Sequence, residues 1–196
     1  MSGEGGAVSL RLFIAFELTE MQKQDLAVLQ DRVKGYIDGV RWLRPVNMHL
    51  TLKFLGEIGE ESTGLIKKAM NRTIEEFRPF KIQFGGCGVF PTPQNARVLW
   101  VGLKKGEEPI KELAGRLENN LSKYEFKKED RRYQPHLTVG RLRNRIPQEK
   151  INQFLEQEKL FETTAEVAQE IVLFQSCLAK QGAIHTAMHN AVFKGN

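Results

Sequence analysis

The tripeptide His-Leu-Thr occurs twice in this chain, within His49-Leu50-Thr51-Leu52-Lys53-Phe54-Leu55-Gly56 and again within His136-Leu137-Thr138-Val139-Gly140-Arg141. At average residue usage, two by chance are expected in on the order of one chain in a thousand of this length. The repetition therefore reads as two halves of one site. Successive side chains on a strand alternate faces, so His49, Thr51 and Lys53 are expected on one face and Leu50, Leu52 and Phe54 on the other. His136 and Thr138 repeat the polar row, Leu137 and Val139 the apolar one. Each half would present an imidazole and a hydroxyl on one side while its apolar row anchors the strand in a core.

The rest of the chain frames these strands. Leu10 to Leu18 is apolar enough for a buried strand. Thr19 and Gln22 resemble a capping box, and Leu26, Leu29, Val33 and Tyr36/Ile37 follow at the spacing of an amphipathic helix ending near Gly39. Val40 to Leu43 is a short extended candidate, and Pro45 blocks a helix before the first motif. Leu65, Ile66, Ala69, Met70, Ile74 and Phe77 mark a second helix, stopped by Pro79. Phe80 to Phe84 and Arg97 to Leu103 read as a hairpin around a long Gly/Pro-rich link, Gly85 to Asn95. Pro109 opens a third helix through Ile110, Leu113, Leu117 and Leu121, and the charged stretch Lys127 to Arg132 leads into the second motif. Pro147 begins a short helix with Ile151, Phe154 and Leu155, before two strands, Ile171 to Leu178 and Ile184 to Phe193, joined around Gly182. The expectation is one α+β domain over residues 1–196 with mainly antiparallel sheets, its glycine-rich residues 1–9 mobile.

Composition narrows the function classes. With 41% hydrophobic and 27% charged residues, the 196-residue chain is ordinary for a globular protein. A net charge of +5 from 29 basic and 24 acidic residues suits an anionic substrate without demanding nucleic acid. Cys87 and Cys177 form no CxxC pattern, which points to a reducing, cytoplasmic setting. No apolar run approaches the roughly 18 residues of a membrane span, and no membrane partner is expected.

Histidine titrates near neutrality, so of two facing histidines one can serve as base and the other as acid. That pair suits phosphodiester hydrolysis. A neutral imidazole takes the proton of an attacking water and an imidazolium protonates the departing oxygen, while two threonine hydroxyls donate to the non-bridging oxygens. The arrangement calls for no metal and no cofactor.

The two motifs resemble the paired HxT signatures of the 2H phosphoesterase superfamily, and specifically its RNA 2',3'-cyclic phosphodiesterase branch, also called 2'-5' RNA ligase. Further matches are Arg11-Leu-Phe-Ile-Ala-Phe, Arg41-Trp-Leu-Arg-Pro, Phe90-Pro-Thr-Pro with Arg97-Val-Leu-Trp-Val-Gly, and Val172-Leu-Phe-Gln-Ser176. The resemblance implies a bilobal fold in which two antiparallel sheets are related by a pseudo-twofold, with helices outside and the two HxT strands lining a central cleft. It implies as substrate RNA or a nucleotide ending in a 2',3'-cyclic phosphate, opened to a 2'-phosphate, with the reverse 2'-5' ligation as a further possibility. His49 is assigned as base and His136 as acid, with Thr51, Thr138 and Arg141 on the phosphate. Strict alternation puts Arg141 on the wrong face, unless Gly140 permits a bulge that re-aims it. A monomer is expected.

Lys53, Phe90, Arg131 and Arg132 are candidate nucleotide or RNA contacts, with Arg143 and Arg145 also flanking the second motif. His185 and His189 share a face by alternation and would mimic a metal pair, but with no third ligand they read as exposed polar positions. The related branch often has tyrosine near the end of the chain, where His185 stands here. Two rival readings remain open: an RNA- or nucleotide-binding module, and the same chemistry on another cyclic nucleotide or an ADP-ribose cyclic phosphate.

Overall fold

The computed structural model describes residues 9–179 and 182–194, so the expectation for residues 1–8 lies outside the described residues. The chain runs β1 (Ser9–Glu17), α1 (Glu20–Lys34), β2 (Val40–Trp42), β3 (His49–Gly59), α2 (Thr63–Ile74), β4 (Phe80–Phe90), β5 (Val98–Lys105), α3 (Glu107–Ser122), β6 (Leu137–Leu142), α4 (Gln148–Gln157), β7 (Glu166–Ala168), β8 (Glu170–Ala179) and β9 (Gly182–Val192). The described strands pair antiparallel in two sheets, ordered β3-β1-β8-β9 and β2-β6-β5-β4-β7. This is the α+β architecture expected from the sequence. No helix among the described residues is long and apolar enough to cross a membrane.

Local signals explain most boundaries. The Thr19 hydroxyl accepts from Gln22 N, and the Gln22 side chain accepts from Thr19 N, completing the capping box. Helix α1 ends at Lys34, earlier than Gly39; that glycine, at φ +73°, instead turns the chain into β2. The hairpin differs more, because β4 runs on to Phe90 through a stretch that reads as a loop. Its glycines serve packing. A Cβ on Gly88 would lie 2.1 Å from the Trp100 ring of β5, so only glycine lets that indole lie flat across the hairpin.

Strand, helix, motif strand, helix is the order of β1-α1-β3-α2 and again of β5-α3-β6-α4, and the helices are exchanged between the sheets. Gln30 of α1 donates to the Val139 carbonyl of β6, so α1 covers the five-stranded sheet together with α4. Helix α3 packs on α2 and β3 of the four-stranded sheet. One apolar core spans both layers, and Phe13, Ala15, Val172 and Phe174 form a separate cluster. The motif strands β3 and β6 approach each other where the sheets meet.

Three of the irregularities in strand pairing change the face taken by residues singled out in the sequence. Ala15 pairs with Thr51 and Ile14 with Lys53, leaving Leu52 as an extra residue in β3. Lys53 therefore does not share the face of His49. It is 5% exposed and turns toward α3, with its Nζ 2.9 Å from Glu118 Oε1 and 2.7 Å from the Lys127 carbonyl. In β6, Leu99 pairs with Gly140 and Trp100 with Thr138, so Val139 is extra and Arg141 returns to the face of Thr138. In β9, Leu173 pairs with His189 and Phe174 with Ala187. The extra Met188 separates His185 from His189, whose Nε2 meets Asn71 Oδ1 of α2 at 2.9 Å, so the two histidines do not share a face.

Candidate active site

The two motifs build the same local arrangement twice. His49 Nδ1 lies 3.1 Å from the Asn47 carbonyl and His136 Nδ1 lies 2.8 Å from the Gln134 carbonyl, in each case two residues back. A carbonyl only accepts, so Nδ1 carries the hydrogen and Nε2 is left to exchange protons. Each imidazole stands on a pair of aromatic rings from the neighbouring strands. His49 is 4.6 Å from Phe174 and 5.8 Å from Phe13, centroid to centroid. His136 is set edge-on 4.9 Å from Phe90 and 6.4 Å from Trp100, and those two rings stack at 5.1 Å. Phe90 is thus a platform on a strand rather than a loop residue.

After each threonine comes a bulge, and a side chain from elsewhere accompanies it. The Tyr133 hydroxyl donates to the Thr51 carbonyl at 2.9 Å, joining the approach to the second motif to the first motif strand. Burial pushes the Tyr133 hydroxyl pKa up, which keeps it a donor. Gln30, 3% exposed, donates to the Val139 carbonyl at 2.9 Å and to that of Leu43 at 2.7 Å. Sequence reasoning missed both residues. The available signal for Gln30 was an amide on the apolar face of α1, which must find a partner when buried. The bulges also place position five after each histidine outward: Phe54 in the first motif, 64% exposed, and Arg141 in the second.

The two histidines differ in surroundings. The start of β3 meets the start of β9, where the Asn47 side chain donates to the Ala183 carbonyl at 2.9 Å. This sets His185 5.2 Å from His49 and 5.0 Å from Phe13, ring to ring, with its Nδ1 buried and unpartnered. Burial first, then the neighbouring His185, hold the His49 pKa down at about 4; the Asn47 carbonyl acts the other way. Burial lowers His185 as well. Arg131 and Arg132 are exposed on the segment before Tyr133. Among the described residues no three His, Cys, Asp or Glu side chains converge as metal ligands would.

Residues 23–175 match the 2'-5' RNA ligase superfamily. The chain belongs to this superfamily. It is 33% identical over 181 residues to the RNA 2',3'-cyclic phosphodiesterase of Methanothermobacter thermautotrophicus, covering 92% of this chain and 97% of that one. It is 32% identical over 176 residues to the RNA 2',3'-cyclic phosphodiesterase of Methanocaldococcus jannaschii, covering 90% and 96%. Among solved structures, a Thermus thermophilus protein superposes with a TM-score of 0.78 at 24% identity, over 95% of this chain and 99% of that one. E. coli LigT complexed with 3'-AMP gives 0.76 at 19% identity, with the same coverage, which shows the shared fold. In this 2'-5' RNA ligase superfamily member the two HxT motifs stand on or beside β3 and β6, which approach each other where the sheets meet.

Proposed function

We propose that this protein hydrolyses RNA 2',3'-cyclic phosphate ends to 2'-phosphates by acid/base catalysis between His49 and His136. The observation that carries the reading is the duplicated arrangement itself: two imidazoles, each fixed through Nδ1 to a backbone carbonyl and each followed by a threonine and a bulge. The activity named for the relatives at 32–33% identity supports the choice of substrate.

His49, held neutral by its surroundings, is the base. Its Nε2 takes a proton from water as the water oxygen attacks phosphorus. His136 gives its Nε2 proton to the 3' oxygen as the P–O3' bond breaks, leaving the phosphate on the 2' oxygen. Thr51 and Thr138 donate to the non-bridging oxygens, and Arg141 stabilises the charge that grows there. In the reverse, ligating direction the two histidines exchange roles. Both histidines come from one chain, so the reaction needs no second subunit.

The test is to incubate the protein, in excess chelator, with a short RNA ending in a 2',3'-cyclic phosphate and to identify the terminal phosphate. A 2'-phosphate is expected, with His49→Ala and His136→Ala slower by roughly two or more orders of magnitude. Binding of the RNA without turnover, unaffected by His136→Ala, would replace the enzyme by a binding module. Turnover only of other cyclic phosphates would move the substrate.

A further inference from the structure

Arg41 of β2 and Arg141 of β6 are directly opposed cross-strand partners. Val40 and Trp42, on either side of Arg41, pack toward the core and crowd Gly140, where a Cβ would lie 2.6 Å from Val40 Cγ1. Arg41 therefore leaves the opposite face, the one that carries Thr138 and Trp100. Both arginines are exposed, and among the described residues neither side chain has a hydrogen-bond or ion-pair partner. Directly opposed residues have Cβ atoms about 4.5–5.5 Å apart, where like charges repel. Two guanidinium groups so placed are stabilised when anions lie between or beside them. The same row continues through Val98 to Phe90, and the next row holds Thr138, Trp100 and Gly88. The arginine pair is thus contiguous with the site and extends it toward the edge strand β2.

We propose that Arg41 binds the internucleotide phosphate on the 5' side of the reacting terminus, so that the protein favours an RNA strand over a mononucleotide. The inference rests on the function proposed above. A nucleoside 2',3'-cyclic monophosphate offers one phosphate, and Arg141, on the same strand as Thr138, serves it. An RNA end adds a second phosphate through the 5' oxygen of the last ribose. Arg41, one strand further out, meets that second charge at the sheet edge, from which the remaining RNA runs into solvent.

The experiment compares kcat/KM for a dinucleotide ending in a 2',3'-cyclic phosphate with that for the corresponding mononucleoside 2',3'-cyclic phosphate. Arg41→Gln should lower the dinucleotide-to-mononucleotide ratio by roughly tenfold, the scale of one charge-assisted hydrogen bond, through KM rather than kcat. The log–log salt dependence for longer RNA should become shallower by about 0.7, the loss of one single-strand phosphate contact. Arg41→Lys should restore part of the ratio, since it keeps the charge and loses the fork. Lys68→Gln, on the exposed side of α2, controls for loss of net charge and should leave the ratio unchanged. An unchanged ratio in Arg41→Gln, or an equal fall in Lys68→Gln, would overturn the proposal. Fluorescence anisotropy of a labelled RNA ending in a 2'-phosphate keeps the two readings apart. If wild type turns over neither cyclic phosphate, the proposed function falls, and equal RNA affinity of wild type and Arg41→Gln would then reject the role of Arg41.

Discussion

Exchanging His49 for asparagine should remove a pH dependence of stability that the wild-type protein carries between pH 6.5 and 4. The ring lies against Phe13 and Phe174 beside His185, and these surroundings hold its pKa at about 4, against about 6.5 in the unfolded chain. Above pH 6.5 it is neutral in both states and the lowered pKa has no effect on stability. As the pH falls toward 4, the unfolded chain binds a proton that the folded protein refuses, so stability drops. Below 4 both states bind it and the loss is complete. The gap from 6.5 to about 4, at about 1.4 kcal/mol per pH unit, amounts to roughly 3 kcal/mol. Urea unfolding of wild type and His49→Asn at pH 7 and pH 4 measures it. Between those two pH values the variant should gain about 3 kcal/mol relative to wild type. A relative gain below about 1 kcal/mol would mean that His49 titrates as if in water, and the argument for it as the neutral partner would be lost.

Lys53→Met should lower stability by about 2–4 kcal/mol, because it leaves Glu118 without its buried partner; thermal unfolding reads the loss, and kcat of the remaining folded protein should stay within about twofold. Gly88→Ala must displace the Trp100 ring and with it the platform under His136, so kcat should fall by about tenfold or more with circular dichroism unchanged. Thr51→Val and Thr138→Val should each reduce kcat by roughly ten- to a hundredfold, with their effects combining non-additively if both hydroxyls hold one phosphate. Phe54→Ala should raise KM for RNA by several-fold, the scale of one base-stacking contact, and leave unfolding unaffected.

Much of the fold was legible because its signals are local. The capping box at Thr19, the apolar spacing of α1 to α3 and the strand character of both motifs depend on neighbours in sequence. The candidate site was marked in the sequence by repetition, which needs no partner to be seen. What stayed hidden depends on a second strand. The bulges at Leu52, Val139 and Met188 exist only in the pairing register, and they decide that Lys53 turns inward, Arg141 turns outward and His189 parts from His185. The glycines of β4 read as a loop because nothing nearby reveals Trp100 across the hairpin. Strand β7 is only three residues long, too short to show a periodicity of its own.

The exchange of helices bears on how such a chain can be divided. A lone β1-α1-β3-α2 unit would hold out α1 with no sheet beneath it, and its own sheet would lack α3. A β5-α3-β6-α4 unit would have the converse defect. Two units together satisfy each other, each shielding its partner's strands, as in a domain-swapped dimer whose subunits have been fused into one polypeptide. In such an arrangement the reaction centre proposed above lies between the halves, and each half brings a single imidazole to it. Severing the chain between α2 and β4 would therefore leave two fragments able to regain the site only by binding each other.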